Sequence, residues 1–135
     1  MQPHFFIKQD GRYFRIAFRD IDLIEGCRNY VKIYTGDKSY IVLMTMKKME
    51  QTLPISQFHR IHKSYIVALD SIQSFDKETV YLLNGREIPL GQQYKLVFIR
   101  SQLILGSQDT DPMNGHESFT VSMESPPAVY LSLKR

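Results

Sequence analysis

The chain of 135 residues is 43% hydrophobic and 12% aromatic, and its formal net charge is +3. This length suits one domain with a short extension, and no apolar run approaches the roughly 18 residues that a membrane span needs. The single Cys27 excludes an internal disulfide, which fits a protein of the reducing cytoplasm.

The charge is distributed unevenly along the chain. Residues 1–105 carry 15 Lys and Arg against 10 Asp and Glu, whereas residues 106–135 carry two against four. A basic body permits binding to a polyanion, although many domains carry such a charge by chance. Residues 107–116 are polar and rich in turn formers. We therefore expect a folded domain over 1–105 and an acidic, flexible tail over 106–135.

The first half of the chain consists of short β-favouring runs separated by turn residues. Residues 5–7 and 13–18 flank the pair Asp10-Gly11 and predict a β-hairpin. A polar break of about one helical turn follows at 19–22. Further strands are predicted over 23–25, 29–34 and 40–43, with Gly26 at a bulge or bend and a turn at 35–38.

Residues 45–53 have the spacing of a helix rather than a strand. Met46, Met49 and Leu53 recur at three- and four-residue intervals. Thr45 is placed to cap the N-terminus, and Pro54 ends the element. We interpret the methionines as core residues, because thioether side chains fill irregular gaps.

The second half repeats the alternation of strands and turns and closes with a helix. The pair Asn84-Gly85 favours a type I′ turn and predicts a hairpin between strands at 79–83 and 86–90. Earlier strands are predicted over 58–61, 65–69 and 71–75. Residues 92–105 predict a helix that ends before Gly106 and has an apolar face of Tyr94, Val97, Phe98 and Leu103. These elements together predict a mainly β, antiparallel fold with two short helices.

Motifs for catalysis or for a bound cofactor are absent from the sequence. There is no nucleophile elbow, P-loop or dinucleotide-binding glycine pattern. His59 and His62 would point to opposite faces of a strand, and Cys27 is isolated, so no zinc pattern results. We predict a protein that is not an enzyme and that needs no metal or cofactor.

Three segments place cationic, amide or hydroxyl side chains beside an aromatic residue at the end of a strand or helix: 28–32, 60–65 and 92–95. Such groups, held on a rigid support, can contact phosphates or base edges. Each segment also has a structural interpretation. The first could be a solvated strand face, Tyr65 and Tyr94 could belong to the core, and His62 could be structural.

The middle segment identifies a family. The run Phe58-His59-Arg60-Ile61-His62-Lys63-Ser64-Tyr65-Ile66-Val67 resembles the signature of the LytTR family of bacterial DNA-binding domains, and segments 21–33 and 88–95 match in order and spacing. The resemblance covers about residues 4–104. It implies an elongated fold of antiparallel β-sheets, used as the output domain of response regulators. It also implies loops that read and bend double-stranded DNA in successive major grooves of repeated sites, with two copies bound.

The resemblance also assigns roles to individual residues. It implies base contacts from Asn29 or Tyr30, from Lys63 and from Gln92. Gln93, which follows Gln92, is also among the residues expected to bind DNA. It implies phosphate contacts from Arg28, Lys32, Arg60, His62, Ser64, Tyr65 and Lys95. Arg60 could equally be a buried structural partner. Gln92 departs from the Arg or Lys of many members, and since glutamine prefers adenine where a guanidinium prefers guanine, the recognised sequence would differ.

These observations favour sequence-specific binding of double-stranded DNA in transcriptional regulation. LytTR domains usually follow a receiver domain, for which this sequence has no room, so the chain is either a stand-alone regulator or a domain excised from a longer one. Two other functions stay open. One is a protein-interaction module, whose acidic tail covers the DNA-binding face or recruits a partner. The other is a binder of single-stranded nucleic acid that stacks bases on Tyr30, Tyr34 and Tyr65.

Overall fold

The computed structural model of the protein describes residues 3–106. The chain divides into two compact units, one through Ile99 and one from Arg100 onward, and the fold described here is that of the first. The predicted tail, apart from Gly106, lies outside the described residues. The elements are β1 (His4–Gln9), β2 (Arg12–Ala17), β3 (Leu23–Cys27), β4 (Tyr30–Thr35), β5 (Lys38–Val42), α1 (Met46–Thr52), β6 (Phe58–His62), β7 (Tyr65–Ala68), β8 (Ile72–Phe75), β9 (Thr79–Leu82), β10 (Glu87–Pro89) and α2 (Gln92–Arg100), with 3₁₀ turns at Phe18–Asp20 and Leu69–Ser71.

A five-stranded antiparallel sheet in the order β5-β4-β3-β7-β6 forms the centre of the fold. Two further sheets share no strand pairing with it: the hairpin of β1 and β2, and a three-stranded sheet in the order β10-β9-β8. In the central sheet, β3 pairs antiparallel with both β4 and β7. The turn that leaves β3 and the turn that enters β7 therefore lie at the same end of the sheet.

The central sheet buries apolar side chains on both faces. Ile24 and Ile33 are paired across β3 and β4, are fully buried, and pack in one cluster with Met49 of α1 and Ile16 of β2. The alternate residues Leu23 and Val67 are also paired and fully buried, so they face the other side. Apolar burial on both faces thus anchors the central strands by packing from two sides.

The predicted first hairpin and first helix are confirmed. Asp10 and Gly11 have φ of 53° and 77°, and they connect Gln9 to its partner Arg12. Positive φ at both central residues is the signature of a type I′ turn, whose twist suits a two-residue hairpin. In α1, the side chain of Thr45 accepts a 3.1 Å hydrogen bond from the Lys48 amide.

Two predictions about glycines are wrong. Gly26 lies opposite Val31 in regular pairing, so it marks no bulge. A β-carbon there would lie 2.5 Å from Cγ of Met46, so close packing against α1 explains the glycine. The hairpin of β9 and β10 forms, but only Gly85 of the Asn84-Gly85 pair has positive φ, so the turn is not type I′. The Asn84 side chain instead accepts a 2.9 Å hydrogen bond from the Arg86 amide, which closes a longer loop.

The second helix is shorter than predicted. It ends at Arg100 rather than Leu105, its buried residues are Phe98 and Ile99, and Val97 is 64% exposed. Residues 103–105 form a continuous apolar run, and such a run has no 3.6-residue period that would distinguish a helix. Within residues 3–106, no helix is long and apolar enough to cross a bilayer.

A β-bulge in β6 overturns the expectation for its histidines. The register shifts between Arg60 and His62, so that His59 pairs with Val67 and His62 with Tyr65. These two partners are two residues apart and share a face, and therefore the histidines do as well. In the described part of the chain, no group of three or more His, Cys, Asp or Glu side chains is placed to hold a metal ion.

Candidate nucleic-acid interface

Two of the three predicted segments meet at one end of the central sheet. Arg28 and Asn29 form the turn between Cys27 and Tyr30, which are paired. The next turn, between β6 and β7, contains Lys63 and Ser64. The Gly26 amide donates a 2.8 Å hydrogen bond to the Ser64 carbonyl, which fixes the first turn beside the second.

The third segment joins them through Gly91. Its amide donates a 2.7 Å hydrogen bond to the Ile61 carbonyl, so the start of α2 lies against the turn between β6 and β7. A β-carbon on Gly91 would lie 3.4 Å from Cα of His62 and 3.2 Å from the Tyr94 ring, a fit that leaves little room for any other residue. A shallow recess of about 280 Å³ remains, lined by His62, Lys63, Gly91, Gln92, Gln93 and Tyr94. The three segments, distant in sequence, therefore form one surface, which we call the turn surface.

Exposure divides the predicted site residues into two groups. The exposed group, which contains every residue expected to contact bases, consists of Arg28, Asn29, Tyr30, Lys63, Gln92 and Gln93. The half-buried group consists of Lys32, Arg60, His62, Ser64, Tyr65 and Lys95. No partner within residues 3–106 engages the Lys63 ammonium or the Gln92 amide, so both are available to a ligand.

The backbone of Arg28 is strained. Its φ is 50°, in the left-handed region that residues other than glycine, asparagine and aspartate rarely adopt. No side chain within the described residues donates or accepts a hydrogen bond that supports this turn. Such strain at an exposed turn is common at functional sites, because it directs side chains outward at a cost to stability.

The guanidinium of Arg60 is occupied within the protein. Its Nε donates to the His62 carbonyl at 3.3 Å and one terminal nitrogen donates to the Lys63 carbonyl at 2.6 Å. The other terminal nitrogen forms an ion pair with Glu50 at 3.1 Å, and the group lies 5.5 Å from the centre of the Tyr94 ring. With all three nitrogens engaged and the side chain 16% exposed, Arg60 fits the structural role that the sequence left open.

His62 supports the same turn. Its Nδ1 accepts a 3.0 Å hydrogen bond from the Ser64 amide, so the neutral ring carries its proton on Nε2. Burial lowers the pKa of His62 below its usual 6.5, and the positive charges of Lys63 and Arg60 lower it further. His62 is therefore neutral near pH 7 in the free domain, and Nε2–H is the donor that it could offer to a phosphate.

Tyr65 belongs to a polar network on the face of the sheet. Glu25 accepts hydrogen bonds from the hydroxyls of Tyr34 at 2.7 Å and Tyr65 at 3.5 Å. Burial and the Glu25 charge raise the pKa of Tyr65, so its hydroxyl stays protonated. Lys32 lies 5.2 Å from the centre of the Tyr34 ring, and Arg86 lies 4.5 Å from it. The network holds a carboxylate within the otherwise basic site.

Several of these residues were missed by the sequence analysis. Glu25, Arg86 and Glu50 approach the predicted site only through pairings between distant segments. The alternation of Lys32 and Tyr34 on one face was the only available signal for the network.

Lys95, a predicted site residue, lies in the first turn of α2, where its amide donates to the Gly91 carbonyl at 3.0 Å.

A mainly β domain that projects cationic and amide side chains from a cluster of turns has the features of a protein that binds nucleic acid through loops. Comparisons with known proteins agree. The family model of the LytTr DNA-binding domain matches residues 11–100. The sensory transduction protein LytT of Enterococcus faecalis (strain ATCC 700802 / V583) is 28% identical over 93 residues, which are 65% of this chain and 38% of LytT.

A solved structure shares the fold. It is the LytTr DNA-binding domain of a protein described as a methyl-accepting/DNA response regulator from Bacillus cereus. The match has a TM-score of 0.65 at 18% identity and covers 74% of this chain and 96% of that structure. At this identity the likeness concerns the fold alone.

The chain belongs to the LytTr DNA-binding domain family, because the family model matches well over half of its length. The resemblance inferred from residues 58–67 and the predicted fold class are thereby confirmed. The family is one of DNA-binding domains and is not known for catalysis. The chain spans 38% of the length of LytT, so it corresponds to one part of that relative.

Proposed function

We propose that this domain recognises a specific sequence in double-stranded DNA, that the turn surface enters the major groove, and that binding regulates transcription. The observation that carries the proposal is that three segments with exposed cationic or amide side chains converge on one end of the central sheet. A major groove about 12 Å wide admits such a pair of adjacent turns. The family membership supplies DNA as the ligand.

Within this proposal, the exposed side chains read bases. The Lys63 ammonium would contact guanine, the Gln92 amide would contact adenine, and Asn29 or Tyr30 would read a neighbouring base pair. Arg28 and Lys32 would position the domain through phosphates. Arg60 and His62, which bond to the backbone of their own turn, would act by holding Lys63 in place.

The exposure of the tyrosines favours duplex DNA over single-stranded nucleic acid. Stacking of unpaired bases requires free aromatic faces. Tyr34 and Tyr65 both face Glu25, and a guanidinium lies over the Tyr34 ring. Only Tyr30 of the three is exposed, at 37%. In a competition experiment, we expect duplex DNA to displace a single strand of the same sequence, and the reverse would support the single-strand function.

The decisive experiment is selection from a randomised duplex library, with sequencing of the bound fraction at several salt concentrations. We expect enrichment of a motif, present as two copies if repeated sites are bound, and an affinity that falls steeply with salt. Salt-sensitive binding without an enriched motif would reduce the function to backbone recognition. Absence of binding at low salt would favour a protein-interaction module.

Lys63 provides a residue-level test on the selected duplex. Lys63→Ala should weaken specific binding by about 1–3 kcal/mol and relax the preference at one base pair. Lys38 is a matched control, because it is an exposed lysine at the start of β5, at the opposite end of the central sheet. Equal losses on specific and random duplexes for Lys63→Ala would make Lys63 a phosphate contact.

A further inference from the structure

Glu50 lies on α1, outside the three segments that form the turn surface. Its Oε1 pairs with Arg60 at 3.1 Å, and this is the one ion pair found within residues 3–106. The Glu50 side chain is 49% exposed, so its charge is largely solvated. At such a site the pair contributes little to stability. Its effect lies in the orientation of the arginine.

The orientation of Arg60 determines where its donors meet the turn between β6 and β7. A guanidinium presents its donors in a rigid planar fork, so a partner on one side restricts where the other donors point. Here Glu50 engages one terminal nitrogen, while the opposite donors hold the carbonyls of His62 and Lys63. The same group packs against Tyr94, two residues beyond Gln92. Arg60 therefore links α1 to two of the proposed base-reading positions.

We infer that Glu50 is a positioning residue for DNA recognition, which through Arg60 fixes the backbone from which Lys63 reads its base. This inference rests on the proposed sequence-specific function and assigns to Glu50 a part in specificity without contact to DNA. The residues that touch DNA are then distinct from those that set the geometry of the turn.

The direction in which DNA affinity changes on removal of the Glu50 carboxylate distinguishes a positioning role from simple charge repulsion. Removal of a negative charge from a DNA-binding protein should leave affinity unchanged or raise it, because phosphates are repelled by carboxylates. If Arg60 were a phosphate contact, Glu50 would also compete with DNA for it, and its removal would strengthen binding. A positioning role predicts the opposite, since the loss of Glu50 loosens the fork that holds the turn.

The test compares Glu50→Ala, which removes the acceptor for Arg60, and Arg60→Lys with the unmodified domain. Each is measured on the selected duplex and on one with the base pair read by Lys63 replaced. Asp37→Ala is the matched control, because Asp37 is exposed in the turn between β4 and β5 at the other end of the sheet. The specificity ratio is the affinity for the selected duplex divided by that for the altered one. We expect this ratio to fall about three- to tenfold in both test variants and to stay unchanged in the control. Thermal unfolding verifies that each variant is folded.

The salt dependence completes the test. Arg60→Gln should leave the slope of log affinity against log salt unchanged if Arg60 only positions the turn, whereas loss of a phosphate contact would reduce it by about 0.9. A reduced slope, or binding of Glu50→Ala that is equal or tighter with an unchanged ratio, would overturn the inference. If Arg60 variants fail to fold, Glu50→Ala decides alone. Failure of the unmodified domain to select any motif would overturn the proposed function and this inference together.

Discussion

The two neighbouring turns of the turn surface are held in different ways. The turn of Arg28 and Asn29 has strand pairing on either side and a strained backbone. Within residues 3–106, no side-chain hydrogen bond supports it. The turn of Lys63 and Ser64 has the guanidinium of Arg60 on its carbonyls and Nδ1 of His62 on the Ser64 amide. One turn is shaped by backbone geometry and the other by side chains.

This difference suggests a division of tasks between the turns. A turn supported by several side chains keeps a single geometry, which favours direct contact with a base edge. A turn without such support adapts more readily, which suits the phosphate contact proposed for Arg28 and a water-mediated base contact from Asn29. Substitutions that change the support of each turn separately test this division.

The largest effect is expected where the strand before the first turn meets α1. Gly26→Val would place a β-carbon 2.5 Å from Cγ of Met46, so the Met46 side chain, the helix or the strand must move. We expect the free energy of unfolding, measured in urea, to fall by about 1–3 kcal/mol. The double variant with Met46→Ala should recover part of the loss. An unchanged midpoint for Gly26→Val would show that the contact is readily relieved.

A smaller effect is expected at the first turn, where one substitution should raise stability and weaken the contact with DNA. Arg28→Gly should raise the free energy of unfolding by about 1 kcal/mol, because glycine adopts positive φ without strain. It should also reduce the slope of log affinity against log salt by about 0.9 if Arg28 contacts a phosphate. Arg28→Lys keeps both the charge and the strain and should change neither quantity. Lower stability of Arg28→Gly would contradict the strain argument.

The smallest effect concerns the pH dependence of the second turn. Because the pKa of His62 is lowered from 6.5 in the folded protein, the unfolded chain binds more protons as the pH falls below that value. The stability that neutral His62 contributes is complete above pH 6.5 and is lost as the pH falls towards the lower folded pKa. His62→Asn keeps an acceptor for the Ser64 amide but does not titrate, so its Tm should fall less between pH 7 and pH 5. Parallel Tm curves would exclude His62 as the titrating group.

Local sequence was sufficient where local geometry decides the structure. The Asp10-Gly11 pair and the Thr45 cap act over two to four residues, and both features form as expected. Prediction failed where a distant segment determines the outcome. Gly26 is explained by Met46, twenty positions further along the chain, and the strand pattern contains no trace of that contact.

The candidate site shows the same limit. The sequence indicated three polar and aromatic segments, and the family signature indicated their ligand. Their arrangement depends on two backbone hydrogen bonds, from Gly26 to Ser64 and from Gly91 to Ile61, which neither composition nor periodicity can place. The partners of Arg60 were equally hidden, because Glu50 and Tyr94 lie on helices that meet β6 only in the folded chain.

The hydrogen bond between the Gly26 amide and the Ser64 carbonyl has an evolutionary consequence. It sets the spacing of the two turns through main-chain atoms, which an exchange of the Asn29, Lys63 or Gln92 side chain leaves in place. Asn29, Lys63 and Gln92 project from this frame into solvent and contribute little to the core. Binding preference can therefore diverge among descendants of this domain by exchange of a few side chains, without a compensating change in the scaffold.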